Sequence, residues 1–133
     1  MAHAPVGYMT SRLLARYCVD NTSQYRRFIG WGMLGAIAPD FDWLWYLFVD
    51  HRTTDHHHYF THLPITWISA LLLSGLWTRR NQANGILAVS FCLGGLMHMV
   101  LDTVVGGIHW FAPLNDRSVV WFKPSPDFLA LWW

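Results

Sequence analysis

Long apolar runs alternate with short polar breaks along the chain, and the breaks delimit the elements. The first run, residues 28–49, is long enough to cross a bilayer, for which ~20 apolar residues suffice. It is interrupted by Pro39-Asp40-Phe41-Asp42. Proline removes a backbone donor and disfavours helix in the residue before it. The pattern therefore predicts two helical pieces, 25–38 and 41–49, broken at Pro39. Broken helices at membrane depth are tolerated where they line a wet or protein-buried cavity.

A polar loop follows over 50–62. Pro64 suits the first turn of a helix, with Thr61 or His62 near the cap. That helix runs to Trp77 and is short for a span unless it tilts or thins the bilayer. Residues 81–84 read as a turn. Residues 85–105 form the most continuous span, ended by Gly106-Gly107. Near the N-terminus, 10–19 predicts a short amphipathic helix, interfacial or cytoplasmic. It sets Leu13, Leu14 and Tyr17 on one side and Arg12 and Arg16 on the other. Asn21-Thr22-Ser23 supplies a cap for the next helix. Residues 108–133 hold no span, and the final FLALWW reads as an interfacial anchor or the start of a further span.

Composition turns these elements into a membrane protein. Of 133 residues, 53% are hydrophobic, 17% aromatic and only 13% charged, against about 25% charged in soluble domains. Tryptophan, present nine times, collects where apolar and wet phases meet. The expected fold is a single all-α domain, a small polytopic membrane bundle with a broken first span. Residues 1–24 would be an N-terminal interfacial segment and 116–133 a tail. A net charge of +1 gives no nucleic-acid footprint. Cys18 and Cys92 form no CxxC pair and read as ordinary apolar residues. The first 20 residues lack the apolar core of a cleaved signal peptide. Arg26-Arg27 and Arg79-Arg80 mark cytoplasmic ends. The loop 50–62 and the end of the last helix would then share the opposite face.

Three polar groups stand out against this background. Asp40 and Asp42 follow the helix-breaking proline. Asp40 alone is explained as a helix cap. A second carboxylate in an apolar stretch calls for a proton or a cation between the two. His98 and Asp102, four apart, share one helical face, and an ionisable residue in such a run is costly without a partner, a cavity or a metal. The third group is the histidine loop, DHHHYFTH at 55–62. Neutral imidazole binds zinc, iron, manganese or copper, and carboxylates complete mixed sites. A pH-sensitive or merely polar loop is the alternative.

GAIAPDFD, HHHYFTH and HMVLD followed by GGIHWFAPL, in this order, resemble the membrane-bound metal-dependent hydrolases, the YdjM-like inner-membrane proteins. The resemblance covers residues 30–115. It implies a bacterial inner-membrane location and a metal site near one membrane face. Matched position by position, it implies Asp40, Asp42, His57, His62, His98 and Asp102 as metal ligands. The family's arginine after the first histidine is His58 here, and its serine after the second is Leu63. A frame on His51 and His56 keeps the family's His-Arg dipeptide but lacks the threonine before the second histidine.

The implied chemistry is hydrolysis of an ester or phosphoester by metal-activated water. The expected cofactor is one or two divalent ions, zinc foremost, manganese or iron otherwise. Asp42, Asp102 and His58 are the expected catalytic residues. His58, His109 and Arg52 are candidates for substrate contact or for support behind the ligands. Membrane lipids are the expected partners, with a lipid-linked or phosphoester substrate. Two rivals stand beside this. His58 and His62 satisfy the HxxxH box of membrane iron desaturases, and the cluster would also serve metal or proton binding without catalysis.

Overall fold

A computed structural model describes residues 2–51 and 58–123. Among these residues five α-helices carry the fold: α1 His3–Cys18, α2 Thr22–Ile37, α3 Asp42–Phe48, α4 Pro64–Thr78 and α5 Gln82–Val105. Short 3-10 turns at Pro39–Phe41 and Phe60–His62 precede α3 and α4. Among the described residues there is no strand, only an isolated antiparallel bridge between Ile108 and Val119.

Local chemistry sets most of the boundaries. Asn21 caps α2 by accepting from the backbone N–H of Ser23 and Gln24, as its sequence position predicts. α2 stops before Pro39, so the expected break occurs where the proline stands. Pro64 opens α4; Leu63, rather than Thr61 or His62, occupies the cap position. The expected turn at 81–84 is instead the first turn of α5, with the Asn81 side chain accepting from Asn84 N–H at 3.1 Å. After α5 the chain folds back over its end. Trp121 and Phe122 N–H donate to the carbonyls of Thr103 and Val104, both at 2.8 Å. Two of the helix's orphan carbonyls are thereby satisfied.

α2 and α5 run parallel and nearly touch. Ser90 Oγ donates to Phe28 O at 2.7 Å, and His98 Nδ1 lies 2.7 Å from Ala36 O. A Cβ at Gly35 would collide with the carbonyl of Phe91, and one at Gly94 with the carbonyl of Gly32. Small residues at such crossings let helix backbones approach closely. α1 packs antiparallel on α2 through a second small-residue row, Gly7, Ser11 and Ala15, which is its buried face. This corrects the amphipathic expectation: Leu13 and Tyr17 are exposed and Leu14 only half-buried. Close approach selected the small residues for the interface, not the large apolar ones. α4 lies antiparallel along α5, with the Trp67 ring over Gly95 and Thr78 beside Gly85.

The polytopic expectation is met in one helix. Among the described residues only α5 is long and apolar enough to cross a membrane, over Gln82–Val104. α4 is apolar but has 15 residues. The first expected span is divided between α2 and α3, because the turn at Pro39 separates them. The helix directions place the start of α1, the end of α2, the start of α4 and the end of α5 at one end of the bundle. The candidate chemistry lies there.

Candidate metal centre

His98 is the most constrained residue of the site. It is fully buried on α5. Its Nδ1–H donates to Ala36 O at 2.7 Å, a carbonyl available because α2 and α5 approach so closely. That bond places a proton on Nδ1, so that in the neutral ring Nε2 carries the lone pair. Nε2 points at two carboxylate oxygens, Asp102 Oδ2 at 3.0 Å and Asp40 Oδ1 at 3.5 Å. It has no hydrogen-bond partner among the described residues. A lone pair facing carboxylates is repulsive unless a proton or a metal cation lies between them.

His62, also fully buried, arrives from the turn before α4. The Trp67 indole N–H fixes that turn by donating to Thr61 O at 2.8 Å. His62 Nδ1 lies 2.6 Å from Asp42 Oδ2, and the Thr61 hydroxyl donates to the same oxygen. Nε2 of His62 is 3.6 Å from Asp102 Oδ2. Asp42 thus stands behind His62, fixing its tautomer and its ring. A carboxylate that orients a histidine in this way is the usual support behind a metal ligand.

A third histidine was not singled out by the sequence motifs. His3, in the first turn of α1, has Nε2 3.0 Å from Asp102 Oδ1 and Nδ1 3.4 Å from Asp40 Oδ2. Its ring lies on that of His98, centroids 3.8 Å apart. Hydrogen bonds to Asp102 and then Asp40 outweigh burial and raise its pKa from 6.5 to about 9. Burial alone would raise Asp40, but the bond from His3 brings it below the ordinary carboxylate value. Only the antiparallel docking of α1 on α2 could reveal this residue, since 37 positions separate it from Asp40.

Two triads result, His62-His98-Asp102 and His3-Asp40-His98, each with ligand atoms within 4.8 Å of one another. Donors around a tetrahedral ion at ~2.0–2.2 Å lie ~3.3–3.6 Å apart, close to the separations of Asp102 Oδ2 from His98 Nε2, 3.0 Å, and from His62 Nε2, 3.6 Å. The residues therefore fit a divalent ion. His98 belongs to both triads but has one available nitrogen, so it serves one ion at a time.

His57, His56 and Arg52 lie outside the described residues. His58 is exposed and its ring rests on His109, centroids 4.3 Å apart, so it joins neither triad. Of the two histidines of the HxxxH box, His58 is exposed and His62 is buried. His51 is exposed in a left-handed turn, φ 49°. His109 is buried, and its Nδ1 has no hydrogen-bond partner among the described residues. Cys18 and Cys92 are both free thiols.

Compared with known proteins, residues 1–131 match the sequence model of a family described as YdjM inner membrane protein. No curated protein and no solved structure gives a significant match.

Proposed function

The chain belongs to the YdjM inner membrane protein family, and on that premise we propose that the cluster is a divalent-metal centre that hydrolyses an ester or phosphoester. The observation that carries this is His98 Nε2, a fully buried nitrogen that faces the carboxylates of Asp102 at 3.0 Å and Asp40 at 3.5 Å. His62 Nε2, His98 Nε2 and Asp102 are the proposed ligands, with Asp40 beside them as a fourth. Two nitrogens with carboxylate oxygens suit zinc first and manganese or iron after it. When bound, such an ion supplies Lewis acidity and a water acidified toward ~7.

The protein groups then divide the remaining work. Asp42 holds the His62 imidazole in the tautomer that offers Nε2 inward. Ala36 O does the same for His98. His3 carries a proton between the outer oxygens of Asp102 and Asp40, and it is the proposed donor to the leaving oxygen. In this scheme Asp42 acts behind the ligands, while His58 lies on His109 outside them and has no catalytic part.

A second reading follows from His3. Protonated, it already balances two carboxylates, as a proton-binding site without hydrolysis would. A phosphodiester assay on purified protein, with and without chelator, separates the two. Turnover that is lost with chelator and restored by zinc or manganese supports hydrolysis. A purified chain that turns over no ester or phosphoester, with or without added zinc or manganese, favours the proton-binding role.

A further inference from the structure

The end of the bundle opposite the metal centre carries a different combination of groups. Arg16, Arg26, Arg27, Arg79 and Arg80 gather there, with Asp20 the one acidic residue among the described residues. Both parallel helices, α2 and α5, begin at this end, so the positive ends of both helix dipoles face the same way. Between them and the end of α4 lies a groove of about 290 Å³. Trp31, Trp77, Leu87 and Phe91 form its apolar walls, and Arg27 and Asn84 supply its polar groups. The Trp31 ring meets Phe91 edge-on, centroids 5.9 Å apart. Trp77 continues into a second groove with Leu73, Leu76, Arg79 and Arg80.

We propose that this groove is a binding site for an anionic glycerophospholipid, its phosphate on Arg27 and Asn84 and its chain across Trp31, Trp77 and Phe91. The volume is that of about ten waters, which admits a phosphate and the first methylenes but not a whole lipid. The rest of the chain has an apolar path over Leu73 and Leu76, both more than half exposed. Arg27 is exposed and makes no ion pair with a carboxylate among the described residues, so its charge is available to a ligand. Tryptophans flanking arginines suit the headgroup level of a bilayer. A zwitterionic lipid would satisfy the apolar walls but leave the excess positive charge uncompensated. The site stands apart from the metal centre and does not depend on hydrolysis.

The test uses the full chain, delipidated in detergent and titrated with phosphatidylglycerol, phosphatidylcholine or inorganic phosphate, with bound species read by native mass spectrometry. Phosphatidylglycerol is expected to bind at least about fivefold more tightly than phosphatidylcholine, the effect of roughly one interfacial arginine. Arg27→Gln should remove that preference and Arg27→Lys keep it, while Trp31→Ala should weaken both lipids. All three variants should elute as the wild type does. Equal affinity for the two lipids would overturn the proposal, as would a preference that survives Arg27→Gln. So would full displacement by inorganic phosphate, or self-association through this face in place of lipid binding.

Discussion

His98 and His62 share one logic: each has its Nδ1 tied to a fixed acceptor, so each offers Nε2 to the centre. Removing the acceptor behind a ligand typically costs 10–100-fold in metal affinity. Asp42→Asn should therefore weaken metal binding by about that factor while the chain still folds, as a competition titration with a chromophoric chelator would show. His3 makes a different prediction, for the metal-free protein. Its pKa is about 9 in the fold against 6.5 in the unfolded chain. Its stabilising contribution is complete below pH 6.5 and is lost as pH rises through about 9. Thermal melts of chelator-treated protein should fall over that window, and His3→Gln should flatten the fall. Asp40, Asp42, His98 and Asp102 are conspicuous as polar residues in apolar runs, and the family resemblance adds His62 together with His57, which lies outside the described residues. His3 was not legible, since one histidine near an N-terminus carries no pattern of its own. The separate role of Asp42 was not legible either, because two carboxylates two positions apart look alike until their neighbours are known.

At the level of elements, the centre depends on how closely α2 approaches α5. Gly35 and Gly94 permit that contact, and Ala36 O reaches His98 only because of it. Gly35→Ala should push the helices apart. Overpacking of this kind costs about 1–3 kcal/mol, which a lowered melting temperature would register. It should also lower metal content, although residue 35 touches no ligand. The helices at 25–38, 64–77 and 85–105 were readable from apolar runs and from their prolines and glycines. α1 was readable as a helix, but its packed face was not. Hydrophobicity pointed to Leu13 and Tyr17, whereas the interface is the Gly7-Ser11-Ala15 row, chosen by distance of approach. Among the described residues one helix has spanning length, so the expected polytopic bundle is not shown. The run from 28 to 49 is long, but Pro39 divides it into pieces that each fall short.

For the whole molecule, charge and chemistry occupy opposite ends. Arginines gather where α2 and α5 begin, and the carboxylates of the centre lie where α5 ends. The excess of arginine predicts that this end faces the cytoplasm. Cys18 provides a check, being exposed at the arginine end while Cys92 is buried. A membrane-impermeant thiol reagent should label it in inverted inner-membrane vesicles and spare it in intact spheroplasts. The central claim is that this centre holds a metal, and the most direct measurement is elemental analysis of the chain purified from membranes without added metal. The account predicts at least one transition-metal ion per chain, lost in His98→Ala and in Asp102→Ala variants that elute as the wild type does. A wild-type chain that is metal-free and takes up none on addition of zinc, manganese or iron, or variants that keep the full metal content, would contradict it.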